Sequence, residues 1–224
     1  MKKLLTTLTA LSLGLTTPLM AEPIDPEDYK TPHAMGCMMV LDCTDGVVEV
    51  TSLADVEEFY GTSYDAIPRE EFDDIVKLSN EVGVKVYLAP GKYFPAGHRG
   101  VYYTLGNDFF LNQDYMDRPG TLMSVLRHEG WHAAQDCMAG GIENNYMGVL
   151  YTNDEVPEFY RELAARTYPE SVLPWEQEAG WAGRTENMTR EALAACAAGP
   201  MWESIEPTPM TTEWLEENGY LTGS

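Results

Sequence analysis

The sequence predicts a single α+β domain in which a small β-sheet packs on helices. Three observations support this fold class. The length of 224 residues suits one domain. Helical patterns lie before and after a group of short strand patterns and do not alternate with them. Two of those strand patterns follow each other closely enough to form a hairpin.

The first 21 residues are expected to be a secretory signal peptide, which leaves a mature domain of residues 22–224. Two lysines precede a run of Leu, Thr, Ala and Gly that ends at Ala21. A charged start, an apolar stretch and a small final residue are typical of such signals. No later stretch approaches the roughly 18 apolar residues that a membrane span needs. We therefore expect an exported protein, periplasmic or secreted, that does not insert into a membrane once the signal is removed.

The chain is strongly acidic, with a formal net charge of −22. Removal of the signal would take away Lys2 and Lys3 and no acidic residue, which makes the mature protein more negative still. Such a charge repels nucleic acid and anionic membrane surfaces, so we expect neither as a partner. The charge is compatible with attraction to cationic substrates, with a salty environment, or simply with a well-solvated surface.

Four cysteines in an exported chain predict two disulfides, which allow three connectivities. Cys37 and Cys43 are close enough in sequence to close a small local loop, and Cys137 would then pair with Cys196. Zinc binding by the four cysteines is the weaker alternative, because the chain has no C-x-x-C pair and an oxidising compartment favours disulfides.

The first half of the mature chain should begin with an extended segment and continue with two amphipathic helices. Residues 22–36 contain three prolines and no periodicity, so we expect them to run extended over the surface. One helix should begin after a cap at Ser52 and end at Gly61. The next should have Pro68 in its first turn and end at Gly83.

Strand patterns follow at residues 84–88, 101–105 and 108–112. Only Gly106 and Asn107 separate the last two, and both residue types tolerate the positive φ of a tight turn. The sequence therefore predicts a β-hairpin directly before the segment that carries the histidines.

A helix of about four turns should begin after a cap at Thr121, since apolar residues then recur at helical spacing. Its sequence includes "HEGWH", residues 128–132. Side chains four positions apart share one face of a helix, so His128 and His132 can present two imidazole nitrogens to one cation. Glu129 lies one position round from that face, where it can reach a water on the metal and act as a general base. The alternative is a helix with two surface histidines.

Through these residues the chain resembles the HExxH zinc metallopeptidases, or zincins. The third histidine of metzincins is absent, so the resemblance is to minimal gluzincins, whose third zinc ligand is a glutamate on a later helix. The "WEQEA" segment, Trp175 to Ala179, looks like that second pattern and implies Glu176 as the third ligand. Glu178 is the rival, with Glu158, Glu162 or another acid as further alternatives.

The resemblance implies a zincin-like domain in which the sheet and hairpin pack on the HExxH helix. It implies zinc-dependent hydrolysis of peptide or protein substrates, with His128, His132 and Glu176 as metal ligands and Glu129 as the catalytic base. An extended substrate would pair with the edge of the hairpin. The oxyanion would be stabilised by one of several residues, and Gln135 or Asp136 could orient a ligand histidine. The oxyanion candidates are Tyr146, Tyr151, Tyr160 and His98.

Two other functions fit the same sequence. One is a catalytically inactive zinc-binding module, because nothing in the sequence identifies a substrate cleft. The other is a metal-free, disulfide-stabilised interaction protein. The tail after Gly199, acidic and containing prolines, is expected to lie on the surface in either case.

Overall fold

A computed structural model describes residues 24–140, 145–199 and 208–221 of the chain. Within these ranges the protein has eight α-helices and one four-stranded sheet, so the α+β class is confirmed. The expected signal peptide, residues 1–21, lies outside the described residues.

The helices are α1 (Pro32–Met39), α2 (Leu53–Tyr60), α3 (Arg69–Glu81), α4 (Pro119–Met138), α5 (Glu158–Thr167), α6 (Leu173–Ala182), α7 (Met188–Ala197) and α8 (Thr212–Glu217). The strands are β1 (Val48–Glu49), β2 (Lys85–Ala89), β3 (Gly100–Tyr103) and β4 (Asp108–Asn112). Short 3₁₀ helices occur at Pro26–Asp28, Gly91–Tyr93 and Glu170–Val172.

The sheet has the strand order β1-β2-β4-β3, in which β2 and β4 are parallel and the other two pairs are antiparallel. The predicted hairpin is formed by β3 and β4, but its connection has four residues, 104–107, and not two. The backbone N–H groups of Gly106 and Asn107 both bond to the Tyr103 carbonyl, and Asn107 has a φ of 56°. The positive φ is therefore confirmed at Asn107 and not at Gly106, and the turn begins earlier than predicted.

Both faces of the sheet are covered, which explains why β2 and β4 are almost entirely apolar. Side chains alternate between the faces along a strand. One face joins the main core through Val86, Leu88, Phe109 and Leu111. The other face, with Tyr87, Ala89 and Phe110, packs against Ala34 and Met38 of α1.

The expectation of an extended segment at residues 22–36 is therefore wrong in part. The segment contains a 3₁₀ helix and the start of α1, which is capped by the Thr31 side chain on the Ala34 N–H. Without α1, the face of the sheet that carries Tyr87 and Phe110 would be exposed to water. Burial of this face stabilises α1 although the local helical pattern of its sequence is weak.

The caps predicted for α2 and α3 are confirmed. Ser52 and Asp55 form a capping box at the start of α2, and Gly61 ends the helix with a φ of 63°. Pro68 precedes the first residue of α3, and the chain leaves that helix through Gly83. These signals act within one turn of the chain, so the sequence determines them locally.

Helix α4 is the central helix of the domain. It begins at Pro119 and has 20 residues, so it is longer than predicted and Thr121 lies inside it. It packs on α3, α6, α7, β3 and β4. A Cβ at Gly130 would lie 2.9 Å from Thr189 Cγ2, so this glycine permits the close approach of α7.

Two disulfides are present, and they join Cys37 to Cys43 and Cys137 to Cys196 as predicted. The second ties the end of α4 to α7 and closes a loop with a sequence separation of 59. Disulfides of this kind fit an oxidising compartment. Within the described residues, no helix is long and apolar enough to cross a membrane.

The described part of the C-terminal tail is partly packed on the domain. Leu215 of α8 is buried, and the Thr208 hydroxyl accepts a hydrogen bond from the Val149 N–H at 3.0 Å. Every residue of 208–221 other than Leu215 is exposed or half-buried, so the prediction of a surface tail is confirmed for this part, with Leu215 as its anchor. Residues 200–207 lie outside the described residues.

Candidate metal centre

Helices α4 and α6 bring His128, His132 and Glu176 together. The Glu176 carboxylate lies 3.3 Å from His128 Nε2 and 3.7 Å from His132 Nε2. One potential ligand atom from each residue lies within 4.8 Å of the other two. Two imidazole nitrogens and a carboxylate oxygen at such distances can converge on one divalent cation after small side-chain movements.

The hydrogen-bonding state of Glu176 fits a metal ligand. Its Oε2 atom is buried and has no hydrogen-bond partner among the described residues. A buried carboxylate oxygen without a partner is costly, because it has lost its hydration. A cation held between this oxygen and the two histidines would remove that cost, so the three residues fit a bound metal.

Glu178, the rival ligand, is on the other side of α6 and serves a different purpose. It is fully buried and accepts four hydrogen bonds. The donors are Trp131 Nε1, Gln135 Nε2 and the backbone N–H groups of Leu150 and Tyr151. Burial raises the pKa of Glu178 to about 7, because its effect is larger than the lowering by these hydrogen bonds. Glu178 thus fastens the 150–151 segment to α4 and α6.

The other acids considered from the sequence are remote from the two histidines. Glu158 and Glu162 are exposed on α5, and Glu162 pairs with Arg166 at 2.9 Å. Among the described residues, His128, His132 and Glu176 form the sole group of three or more His, Cys, Asp or Glu side chains arranged to hold a metal ion.

Gln135 orients His132. Its Oε1 atom lies 2.8 Å from His132 Nδ1, and its Nε2 atom donates to Glu178 Oε2 at 2.8 Å. An imidazole whose Nδ1 proton is donated in this way keeps Nε2 free as a ligand. Of the two orienting residues anticipated, Gln135 occupies this place.

We expect Gln135→Leu to weaken zinc binding by about 10–100-fold, because the His132 ring would lose the acceptor that fixes its tautomer and direction. Competition with a fluorescent zinc chelator measures the affinity. Gln177→Leu is the matched control, because Gln177 is likewise buried but lies on α6. Its side chain bonds to Asn153 and not to the His132 ring. Equal affinities of the two variants would contradict the orienting role.

Asp136 has another partner. Its Oδ2 atom accepts a hydrogen bond from the Tyr102 hydroxyl at 2.7 Å. The Asp136 side chain is buried, and burial raises its pKa to about 7. The contact joins the edge strand β3 to the second half of α4.

Glu129 lies between α4 and β3, beside the two histidines. Burial raises its pKa to about 7, partly offset by the charge of His128 and by a hydrogen bond from the Tyr102 backbone N–H. A Cβ at Gly100 would lie 2.6 Å from Glu129 Oε1, so only glycine allows β3 to run this close to the carboxylate. A carboxyl group with a pKa near neutrality can both accept and release a proton.

The ionisation of the three ligand candidates follows from their mutual contacts. Burial lowers the pKa of His132, which keeps its imidazole neutral. Burial also opposes the charge on Glu176, but the two histidines and the Tyr168 hydroxyl outweigh it and lower the carboxyl pKa. Burial lowers the pKa of His128, yet the adjacent Glu176 carboxylate and the charge of Glu129 raise it overall. Metal binding would therefore compete with protonation of His128.

Tyr168 is a site residue that the sequence reasoning missed. It lies directly after α5, and its hydroxyl approaches the Glu176 carboxylate and lowers the pKa of that carboxyl. No pattern in the sequence pointed to it, because its contact with α6 depends on how two separate helices pack. Of the residues considered for stabilising an oxyanion, Tyr160 and His98 line the same cleft as Tyr168. Tyr151 stacks on Trp131 and lines a different cavity, and Tyr146 is not part of the cleft lining.

A cleft of about 1020 Å³ opens above these residues. Its floor is formed by α4 and α6, one wall by β3 with residues 96–99, and the other wall by α5 with residues 167–169. The side chains of His128, Glu129, His132 and Glu176 all contribute to the lining. The arrangement can therefore expose a bound cation and the Glu129 carboxylate to the same ligand.

Comparison with protein-family models, with curated protein sequences and with solved structures found no match to this chain.

Proposed function

We propose that this protein is a zinc-dependent metallopeptidase with a zincin-like fold, in which Glu129 is the general base. One observation carries the proposal: ligand atoms of His128, His132 and Glu176 converge within 4.8 Å beside a buried glutamate, on the floor of a cleft. A structural metal site is normally closed by four protein ligands. Three ligands facing a cleft leave a position for water or substrate, which is typical of a catalytic site.

Zinc suits this donor set, because two imidazoles and one carboxylate are common ligands of catalytic zinc. When bound, zinc would polarise a substrate carbonyl and lower the pKa of a water molecule towards 7. Gln135 keeps the His132 ring in the required tautomer, and the nearby Tyr168 hydroxyl favours the charged form of Glu176.

Glu129 would move the proton. Its carboxylate accepts a proton from the water that attacks the carbonyl carbon, and then passes it to the leaving amine. Burial raises the pKa of Glu129 to about 7 in the metal-free site, and a bound cation would lower it towards the carboxylate form that accepts a proton. The Tyr102 N–H favours the charged form of this carboxylate, which is the form that accepts a proton.

The substrate is proposed to be an extended peptide or protein segment. β3 is the edge strand of the sheet, and the Arg99 carbonyl bonds to the Asn112 N–H of β4. Because backbone groups alternate along a strand, those of Gly100 and Tyr102 face away from β4. The Tyr102 N–H is directed at Glu129, so an extended chain would pair through the Gly100 backbone and the Tyr102 carbonyl. An extended chain can pair with such an edge, and this would bring one of its peptide bonds to the metal.

Export to the periplasm or the cell exterior belongs to the same proposal. It rests on the apparent signal sequence at residues 1–21 and on the two disulfides. Neither nucleic acid nor an anionic membrane surface is proposed as a partner, because of the net charge of −22.

The proposal is tested on the purified mature protein. We expect about one zinc per chain by elemental analysis, and cleavage of a mixed peptide library detected by mass spectrometry. A chelator should abolish cleavage, and added zinc should restore it. Bound zinc without cleavage would instead indicate an inactive zinc-binding module. A protein with no bound metal that takes up none would indicate a metal-free interaction protein.

A further inference from the structure

Two of the arginines in this chain differ from the others in their ion pairing. The sequence has eight arginines, all within the described residues. Six of them form ion pairs with carboxylates: Arg69, Arg118, Arg127, Arg161, Arg166 and Arg190. Arg99 and Arg184 have no carboxylate partner among the described residues, although 36 acidic residues are available in the chain. Both line the cleft.

The backbone beside each of the two arginines approaches the same turn of α4. Gly183 precedes Arg184, and a Cβ there would lie 2.9 Å from the Ser124 carbonyl oxygen. Gly100 follows Arg99, and a Cβ there would lie 2.7 Å from Val125 Cγ1. Ser124 and Val125 are neighbours on α4, about one turn before His128. Both cationic residues therefore join the cleft lining next to residues that contact one turn of the helix carrying the metal site.

The charge of the lining is also opposite to that of the whole protein. Among the described lining residues, the only acidic ones are Glu129 and Glu176. A divalent cation would be balanced by these two carboxylates, which leaves Arg99 and Arg184 as the uncompensated charges. The net charge of the protein is −22, so most of its surface repels an anionic group. A cleft lining without further acidic residues favours the binding of such a group.

We propose that the substrate bears a carboxylate close to the scissile bond, and that Arg99 and Arg184 bind it. The inference rests on the proposed peptidase function and specifies its substrate class. A guanidinium group binds a carboxylate through paired hydrogen bonds, which selects for charge and direction. Arg99 lies 5.7 Å over the Tyr115 ring, which restrains it at the wall of the cleft.

Two kinds of peptide supply such a carboxylate. One has an Asp or Glu side chain near the cleaved bond, and the other has its free C-terminus there. The first would be recognised by an endopeptidase for acidic sequences, and the second by an enzyme that removes residues from the C-terminus.

Binding is measured by fluorescence anisotropy on the zinc-loaded Glu129→Gln protein, so that the result does not depend on turnover. Three labelled peptides of equal length are compared. One contains Asp and Glu and is amidated at its C-terminus. The second has Asn and Gln at those positions and is also amidated, and the third is the second with a free C-terminus.

We expect one of the two carboxylate-bearing peptides to bind about tenfold more tightly than the neutral amide, since the arginines are exposed and the gain is moderated by solvent. Preference for the first indicates an acidic side chain, and preference for the third indicates the C-terminus. Arg99→Gln and Arg184→Gln should bring this ratio towards one, and Arg184→Lys should keep part of it because the charge remains. Arg166→Gln is the control for general charge, since Arg166 is exposed and outside the cleft lining.

Equal binding of all three peptides, or binding of none, would overturn the inference. So would a ratio that survives both arginine substitutions, or one that falls as much in Arg166→Gln. Failure of the peptidase function has a different signature. The wild-type protein would then cleave no peptide, while the binding ratios would still decide whether the cleft selects a carboxylate.

Discussion

Replacement of Glu129 by Gln is expected to lower the rate of peptide cleavage by about 10²–10⁴-fold while zinc remains bound. The amide cannot accept the proton of the attacking water, so the chemical step loses its base. The ligands His128, His132 and Glu176 are unchanged, and an amide oxygen can still accept the hydrogen bond from the Tyr102 N–H. We therefore expect a folded, zinc-loaded and inactive protein. Single-turnover cleavage rates and zinc content measure the two properties.

Glu158→Gln is the matched control for this substitution, because Glu158 is exposed at the start of α5 and contributes nothing to the cleft lining. It should cleave peptides at the wild-type rate. If Glu129→Gln cleaves as fast as wild type, Glu129 is not the base. If its loss of activity is accompanied by loss of zinc, the residue acts on the metal site and not on the proton.

Loss of any one metal ligand is expected to weaken zinc binding by more than about 100-fold, beyond the effect of losing an orienting residue. The variants are His128→Ala, His132→Ala and Glu176→Ala. Each leaves two protein ligands, which cannot hold the cation in competition with solvent and chelators. Zinc should raise the unfolding temperature of the wild-type protein and not that of the variants, because only the folded state with three ligands binds it tightly. Competition titration and thermal unfolding with and without zinc provide the measurements.

The chain offers a control histidine at the same time. His33 is exposed on α1 and lies outside the cleft lining, so His33→Ala should retain zinc and its thermal effect. Glu178→Gln tests the rival assignment, since its buried carboxyl has four donors and no place at the metal. Retention of zinc by all three ligand variants would refute the site, and loss in Glu178→Gln alone would transfer the third ligand to Glu178.

Local features of the fold could be predicted from the sequence. The capping box of Ser52 and Asp55 and the glycine that ends α2 act within a single turn of chain. The Cys37–Cys43 disulfide spans only six positions, and its formation left Cys137 and Cys196 as partners. The alternation of the strands indicated a sheet, because side-chain direction in a strand is a property of the backbone alone.

Features that depend on distant partners could not be predicted. The helix α1 is rich in methionine and follows prolines, and nothing in it shows that the second face of the sheet requires a cover. Helix α5 was not predicted either, although it forms one wall of the cleft. The neighbour that Gly130 admits was also identified only in three dimensions, where it is the Thr189 side chain of α7.

The sequence by itself determined that His128 and His132 share a face of one helix with Glu129 beside them, because a spacing of four residues corresponds to about one turn. Only the tertiary structure decided that Glu176 reaches the histidines while Glu178 faces the 150–151 segment. It also brought Arg99 and Arg184, 85 positions apart, into the lining of one cleft. The reason is that helical spacing is a short-range property of the backbone, whereas the approach of separate elements depends on how their side chains pack in the whole domain.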